Sequence, residues 1–198
     1  MTAASGLIAR KFLRSAMNFI KTALEGVYIV EPRVFPDARG YFFESYNQAA
    51  FEEAGLHYTF VQDNESKSSY GTVRGLHFQK GEHAQAKLVR VLQGTVLDVA
   101  LDLRRASPTY GRHVALELSA ENHRQLMIPR GFAHGFAVLS EVAVFAYKCD
   151  NLYCKESEGG LRFDDPALGI DWRIDLSRAL TLEKDKLYPK FAEFETCF

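Results

Sequence analysis

The feature that most constrains the fold is an alternation of residue types in the stretch that begins at Lys87, KLVRVLQGTVLDVALDLR. From Thr95 to Leu103 every second residue is threonine, leucine or valine, whereas the positions between them include Asp98 and Asp102. A period of two residues is that of a β-strand with one face against a core. The stretch therefore predicts a half-buried strand.

Similar short apolar runs recur along the chain, separated by glycine, proline, serine or asparagine. They occupy residues 27–30, 114–118, 125–128, 132–139 and 142–148. Helix is scarce: one short helix is predicted over 48–54, between a cap at Asn47 and a stop at Gly55, and a second near the C-terminus. Many short strands with turn residues between them predict a mainly β fold, an antiparallel sandwich or barrel.

Length and composition limit the class of protein. A chain of 198 residues suits one domain. A net charge of −1, with 25% charged residues, is typical neither of a nucleic-acid-binding protein nor of a disordered chain. No apolar run approaches the ~18 residues of a membrane helix. We therefore expect neither a nucleic acid nor a membrane among the partners.

The cysteines and the N-terminus bear on location and domain boundaries. Cys149, Cys154 and Cys197 show no CxxC or HxxC spacing, which argues against a disulfide framework or structural zinc and favours the cytoplasm. Residues 1–16 are basic and lack acidic residues. We interpret 1–16 as an N-terminal extension, disordered or derived from a tag or upstream start, and 17–198 as the single folded domain.

Several known functional motifs are missing from the sequence. It has no GxGxxG, GxxxxGK[ST] or GxSxG element, and no alternation of strands and helices. Dinucleotide-binding folds, phosphate loops and nucleophile elbows are therefore excluded as explanations of function.

Eight segments, taken in order, carry a family resemblance. They are FPDARGYFFESYN (35–47), FVQDNESKS (60–68), VRGLHFQ (73–79), AKLVRVLQG (86–94), QLMIPRGFAHGFAVLS (125–140), YKCDNLY (147–153), SEGGLRFDDPALGIDW (157–172) and LEKD (182–185). Together they resemble the dTDP-4-dehydrorhamnose 3,5-epimerase family over roughly residues 17–190. The resemblance implies a cupin-like jelly roll, an isomerase of dTDP-L-rhamnose and cell-surface polysaccharide biosynthesis, and a homodimer with swapped N-terminal strands.

The resemblance also implies the catalytic residues. The histidine of RGLH, His77, matches the family's base, and its ordinary pKa of ~6.5 suits that task. Asp185 matches the acid that pairs with this histidine. Tyr147 matches the proton donor for the opposite face of the sugar, and Lys87 matches a cation beside the C4 oxygen, where negative charge develops.

Further positions match the family's substrate contacts, which lie around a dTDP-4-keto-6-deoxy sugar. Arg39, Arg74, His134 and Lys184 match contacts to the diphosphate and sugar, a role suited to arginine's planar fork. Glu44, Gln62, Asp63, Asn64 and Glu158 match further sugar or nucleotide contacts, and Phe35 and Tyr153 match aromatics that sandwich the base. Many relatives carry tryptophan where this chain has Phe163, which predicts a differently shaped site wall.

Three alternatives stay open. A single-carbon epimerase or a 3,4-ketoisomerase would act on the same class of nucleotide sugar. A metal-dependent cupin enzyme is suggested by PRGFAH (129–134), but Gln79 stands where the second ligand of an HxH pair is expected. A noncatalytic sugar-binding module would need no acid and base. Epimerisation beside an existing ketone requires neither cofactor nor metal, so we predict none.

Overall fold

The computed structural model describes residues 17–198, so the predicted N-terminal extension, residues 1–16, lies outside the described residues. Within that range, the strands form two antiparallel sheets and a separate hairpin. In spatial order the larger sheet contains β1 (Met17–Lys21), β2 (Tyr28–Pro32), β10 (Gln125–Ile128), β7 (Lys87–Gln93), β12 (Val142–Cys149) and β5 (Gln62–Ser69). The smaller sheet contains β13 (Glu158–Gly160), β6 (Val73–Gln79), β11 (Phe132–Val138), β8 (Thr95–Asp102) and β9 (His113–Ser119).

The hairpin consists of β3 (Phe35–Asp37) and β4 (Gly40–Phe42). The strands predicted from apolar runs are all present, with ends that differ by a few residues. The mainly β prediction and the cupin-like jelly roll implied by the resemblance are therefore confirmed.

Gly94 divides the long alternating stretch into strands of different sheets. Before it, β7 pairs with β10 and β12 in the larger sheet, and after it, β8 pairs with β9 and β11 in the smaller one. Gly94 has φ +77°, and a Cβ there would lie 2.1 Å from the carbonyl oxygen of Val142. Only glycine fits this corner, which carries the chain from one sheet to the other.

The prediction that β8 is half-buried is wrong, because both of its faces are covered. Leu97 and Val99 pack into a cluster with Leu161 and Trp172, residues that follow β13. On the other face, Val96 and Ala100 pack between the sheets, and Asp98 and Asp102 are 0% exposed. Alternation in the sequence shows that one face of a strand is polar. A polar face that is buried in ion pairs gives the same alternation as a polar face that is exposed to solvent.

The helices are short, as predicted. The first, α1, spans Gln48–Glu53, and the side chain of Asn47 accepts a hydrogen bond from the backbone amide of Ala50, a contact of about 1 kcal/mol. Phe51 of α1 packs on the outer face of the larger sheet. The second, α2, spans Glu183–Lys186, close to the C-terminus.

Phe163 does not form part of a site wall, so that expectation is wrong. Its side chain is 4% exposed and packs edge-on against Trp172, whose indole N–H donates to the carbonyl oxygen of Phe163. Phe163 therefore belongs to the core behind the smaller sheet.

No helix among residues 17–198 is long and apolar enough to cross a membrane.

Candidate active site

A cavity of about 520 Å³ opens between the two sheets. Many of the residues expected from the resemblance line it together: His77, Tyr147, Lys87, Asp185, Arg74, His134 and Asn64. The smaller sheet contributes the histidines and Arg74, whereas the larger sheet contributes Tyr147, Lys87 and Asn64. Each sheet therefore forms one wall of the cavity, with the histidines on one wall and the tyrosine and the lysine on the other.

A bulge in β6 brings two of these residues to the same wall. Arg74 lies opposite Phe136 and His77 opposite His134, so three steps along β6 match two along β11. In a regular strand, residues three apart point to opposite faces. The bulge contains Gly75, which has φ +143°, and a Cβ there would lie 2.5 Å from the Cα of Gly135.

His77 and Asp185 form a close pair. Nε2 of His77 lies 2.9 Å from Oδ1 of Asp185, and the two side chains are 27% and 2% exposed. The other carboxylate oxygen accepts a weak hydrogen bond from the hydroxyl of Thr181, at 3.5 Å. The carboxylate is thus shielded by α2 and the residues before it, while the imidazole keeps a surface towards the cavity.

Tyr147 and Lys87 lie side by side on the larger sheet. The ammonium of Lys87 sits 5.7 Å from the centre of the Tyr147 ring, within range of a cation–π contact. Burial lowers the pKa of Lys87 and raises the pKa of Tyr147. Tyr147 packs beside Phe145 on the inward face of β12.

Gln62, Tyr153, Glu158 and Lys184 line an adjoining cavity that shares His77, Lys87 and Tyr147 with the first. The carboxylate of Glu158 accepts hydrogen bonds from Lys184 and from the hydroxyls of Tyr153, at 2.7 Å, and Tyr188, at 3.0 Å. Burial alone would raise the pKa of Glu158, but these donors lower it to about 2. The same contact raises the pKa of Tyr153 to about 12.

The remaining predicted residues lie elsewhere. Asp63 forms a 2.9 Å ion pair with Lys148 on the outer side of the larger sheet. Arg39, 90% exposed, pairs with Asp37 at the tip of the hairpin, and Glu44 accepts a hydrogen bond from Asn47. Phe35 is 43% exposed on the same hairpin. Within one chain, Phe35, Arg39 and Glu44 do not line the cavity or its rim.

Sequence reasoning did not single out several residues that line the cavity or contact its histidines. Among them are Asp98, which pairs with His134, Tyr188, whose ring lies edge-on to His77, and the cavity-lining Phe136 and Phe145. The sequence carried no signal for Asp98, because an acidic residue at an alternate position of a strand predicts exposure to solvent. The aromatic residues carried none either, since ordinary core phenylalanines follow the same pattern.

The residues of a metal-binding cupin do not come together. Gln79 uses its side-chain oxygen to accept a hydrogen bond from the backbone amide of Cys154, and His134 pairs with Asp98. In the described part of the chain, no group of three or more histidine, cysteine, aspartate or glutamate residues has the arrangement of a metal site. The donor set therefore does not fit the metal-dependent alternative.

Comparison with known proteins shows which family this chain resembles. Residues 21–193 match the family described as dTDP-4-dehydrorhamnose 3,5-epimerase. The Salmonella typhimurium protein of that name is 59% identical over 157 residues, which cover 79% of this chain and 86% of the relative. The crystal structure of the Elizabethkingia anophelis epimerase has a TM-score of 0.87 at 58% identity, covering 90% of this chain and 98% of the other.

A further structure contains a bound nucleotide sugar. The Legionella pneumophila dTDP-6-deoxy-D-glucose-3,5-epimerase was solved in complex with dTDP-4-keto-L-rhamnose. It superimposes with a TM-score of 0.86 at 46% identity, covering 90% of this chain and 95% of that one. The similarity therefore extends over nearly the whole described fold.

Proposed function

The chain belongs to the dTDP-4-dehydrorhamnose 3,5-epimerase family, and we propose that it inverts C3 and C5 of dTDP-4-dehydro-6-deoxy-D-glucose to give dTDP-4-dehydro-β-L-rhamnose. The observation that carries this proposal is that His77 and Tyr147 line one cavity from different sheets. Inversion takes a proton from one face of a carbon and returns one to the opposite face. A base and an acid on separate walls suit that requirement.

In the proposed mechanism, His77 removes the proton next to the C4 ketone. Its Nε2 faces Asp185, which leaves Nδ1 as the nitrogen that takes the proton. The carboxylate of Asp185 holds the imidazole in one tautomer and stabilises the imidazolium that forms. The ketone acidifies both C3 and C5, so the same groups serve at each carbon and no redox cofactor is needed.

Lys87 and Tyr147 complete the proposed cycle. Removing the proton places negative charge on the C4 oxygen, and the ammonium of Lys87 stabilises it. Burial raises the pKa of Tyr147, so its phenol stays protonated at neutral pH and can donate to the opposite face of the sugar. The solvent then restores the protonation states of His77 and Tyr147 before the next inversion.

We assign the rest of the substrate to the cavity wall and its rim. Arg74, His134 and Asn64 line the cavity itself and would contact the sugar and the nearer phosphate. Lys184 and Tyr153 lie at the rim, where a cation and an aromatic ring suit a phosphate and a base respectively. Local cations are required because the chain as a whole carries a charge of only −1.

We also propose that the protein is a homodimer whose N-terminal strands complete the partner's site. Phe35, Tyr41 and Phe42 on the hairpin are 43%, 61% and 70% exposed, a patch of large apolar side chains typical of an interface. Arg39 and Glu44, matched to substrate contacts by the resemblance, lie on or beside this hairpin. If the hairpin reaches a second subunit, it would bring Arg39 and Glu44 to the cavity of that subunit.

Incubation with the 4-keto-6-deoxy substrate in D₂O tests the reaction. Deuterium at both C3 and C5, with formation of the L-lyxo sugar, is the expected result. Label at one carbon would instead identify a single-carbon epimerase, and conversion to a 3-keto sugar would identify a ketoisomerase. Loss of turnover with EDTA, restored by iron or zinc, would move the protein to the metal-dependent class.

This reaction would supply L-rhamnose for cell-surface polysaccharides. We propose that it occurs in the cytoplasm, where nucleotide sugars are made, because Cys149, Cys154 and Cys197 are free thiols and free thiols persist in a reducing compartment.

A further inference from the structure

Asp98 is a fully buried carboxylate in the centre of the smaller sheet. It is 0% exposed, and its Oδ2 lies 2.9 Å from Nε2 of His134. His134 lies directly opposite His77 in the register of β11 and β6, and both imidazoles line the cavity. Among residues 17–198, the wall formed by the smaller sheet therefore carries two neighbouring pairs, His77–Asp185 and His134–Asp98. The proposed mechanism uses only the first pair.

The second oxygen of Asp98 has an unusual environment. Oδ1 is buried and has no hydrogen-bond partner within residues 17–198. An unsatisfied buried carboxylate oxygen is unfavourable, and an apolar pair of similar shape can often replace a buried ion pair without loss of stability. The burial of Asp98 is thus poorly explained by packing alone, and its contact with a cavity residue suggests a role in the site.

The pairing determines how His134 meets a ligand. An ionised carboxylate only accepts hydrogen bonds, so Nε2 of His134 carries the proton that it shares with Asp98. Nδ1 has no hydrogen-bond partner in residues 17–198. A neutral imidazole of this tautomer presents a lone pair at Nδ1, which accepts a hydrogen bond from a hydroxyl group.

We propose that Asp98 is a positioning residue, which fixes the tautomer and orientation of His134 so that Nδ1 accepts a hydrogen bond from a hydroxyl of the hexose. The inference rests on the proposed function for the substrate class. The hexose is chosen over the nucleotide because His134 is the cross-strand neighbour of His77, which acts on a sugar carbon. Asp98 reaches the substrate only through His134.

Calorimetric binding with unreactive ligands separates the sugar from the nucleotide. We expect Asp98→Asn to weaken binding of dTDP-glucose by about tenfold, the value of one hydrogen bond, and binding of dTDP alone by less than about twofold. An equal loss for both ligands would overturn the proposal. Asp102→Asn is a matched control on the same buried strand, and it should leave the ratio of the two affinities unchanged.

A double-mutant cycle tests whether Asp98 acts through His134. In a His134→Asn background, Asp98→Asn should have no further effect on dTDP-glucose binding, because the positioned group is gone. A second tenfold loss in that background would show that Asp98 acts independently of His134, and the proposal would be wrong.

¹⁵N NMR of histidine-labelled, unsubstituted protein needs no variant and therefore does not depend on Asp98→Asn folding. The expected spectrum has the proton of His134 on Nε2 and a bare Nδ1 that shifts when dTDP-glucose is added but not when dTDP is added. A proton on Nδ1, or no response to the sugar, would refute the assignment. Because dTDP-glucose has no ketone, these results are independent of turnover, whose absence would instead contradict the proposed function.

Discussion

The Nε2 atom of His77 and the Oδ1 atom of Asp185 lie 2.9 Å apart, although 108 positions separate the two residues in the chain. The contact joins a strand of the smaller sheet to the four-residue helix α2. Such a short helix has little stability of its own, so its position depends on tertiary contacts. The alignment of the proposed base therefore depends on how the C-terminal segment packs.

Replacing Asp185 with asparagine should impair proton abstraction more than binding. Asparagine keeps the size of the side chain but removes the charge that stabilises the imidazolium, so kcat should fall by about 10²-fold or more. Steady-state kinetics and titration with dTDP measure the two effects. Asp164→Asn, at a partly exposed ion pair with Arg162, is a control that should retain activity. If Asp185→Asn has the parental kcat, Asp185 does not assist His77 in proton abstraction.

Tyr147→Phe should separate exchange from inversion. Phenylalanine preserves the ring but removes the proposed proton donor, so inversion should fall by about 10²-fold. His77 should still exchange the α-protons with solvent by returning deuterium to the original face. NMR of one sample in D₂O measures both rates, and His77→Ala should lose both. If Tyr147→Phe inverts C3 and C5 at the parental rate, Tyr147 is not the acid.

Lys87→Met should lower kcat by about 10²–10³-fold, the effect of removing one group that stabilises an oxyanion, with little change in dTDP affinity. Burial lowers the pKa of Lys87, and the protonated form is the active one. Activity should therefore fall as pH rises, and this alkaline limb should begin below the ordinary pKa of lysine. A pH profile that is the same for the parent and Lys87→Met would argue against this role.

Subunit complementation tests the swapped dimer. Arg39→Ala and His77→Ala should each abolish most activity, but if Arg39 serves the partner's site, a mixed dimer contains one intact site. Mixing the unfolded variants and refolding them together should restore about a quarter of the parental activity, because half of the dimers are mixed. Recovery should be absent if both residues serve the same subunit. A fully active monomer by light scattering would also exclude the dimer.

Asp102 should make the free energy of unfolding depend on pH in the acidic range. Burial alone would raise its pKa, but hydrogen bonds from Arg104, Ser107 and Thr109 lower it from 3.8 to about 2. Its contribution is complete above pH ~4 and is lost as pH falls towards ~2. Asp102→Asn should lower the free energy of unfolding at pH 7 by about 2 kcal/mol and flatten its decline between those pH values, measured by urea unfolding.

The exposed carboxylate Glu53 provides the control for that experiment. Glu53→Gln on α1 should change the free energy of unfolding by less than about 0.5 kcal/mol and leave its acid dependence as in the parent. If Asp102→Asn unfolds with the same pH dependence as the parent, the ion pair with Arg104 does not contribute as described.

The fold class and the strands that coincide with apolar runs could be predicted from the sequence, because the period of two and the turn residues are local properties of the chain. The polar strand β5, QDNESKSS, carries no such signal. The helix over 48–54 was also predictable, since the cap at Asn47 and the stop at Gly55 are local signals. The motifs around His77 and Tyr147 identified a family, and the structure places both residues at one cavity.

Which residues lie in contact depends on the tertiary structure. Periodicity could not reveal that Asp98 is buried against His134, because a polar residue at an alternate position predicts exposure. It also could not show that the chain changes sheets at Gly94, or that a bulge at Gly75 turns Arg74 and His77 to one wall. These relationships depend on which strands pair, and strand pairing is fixed by contacts between residues far apart in the sequence.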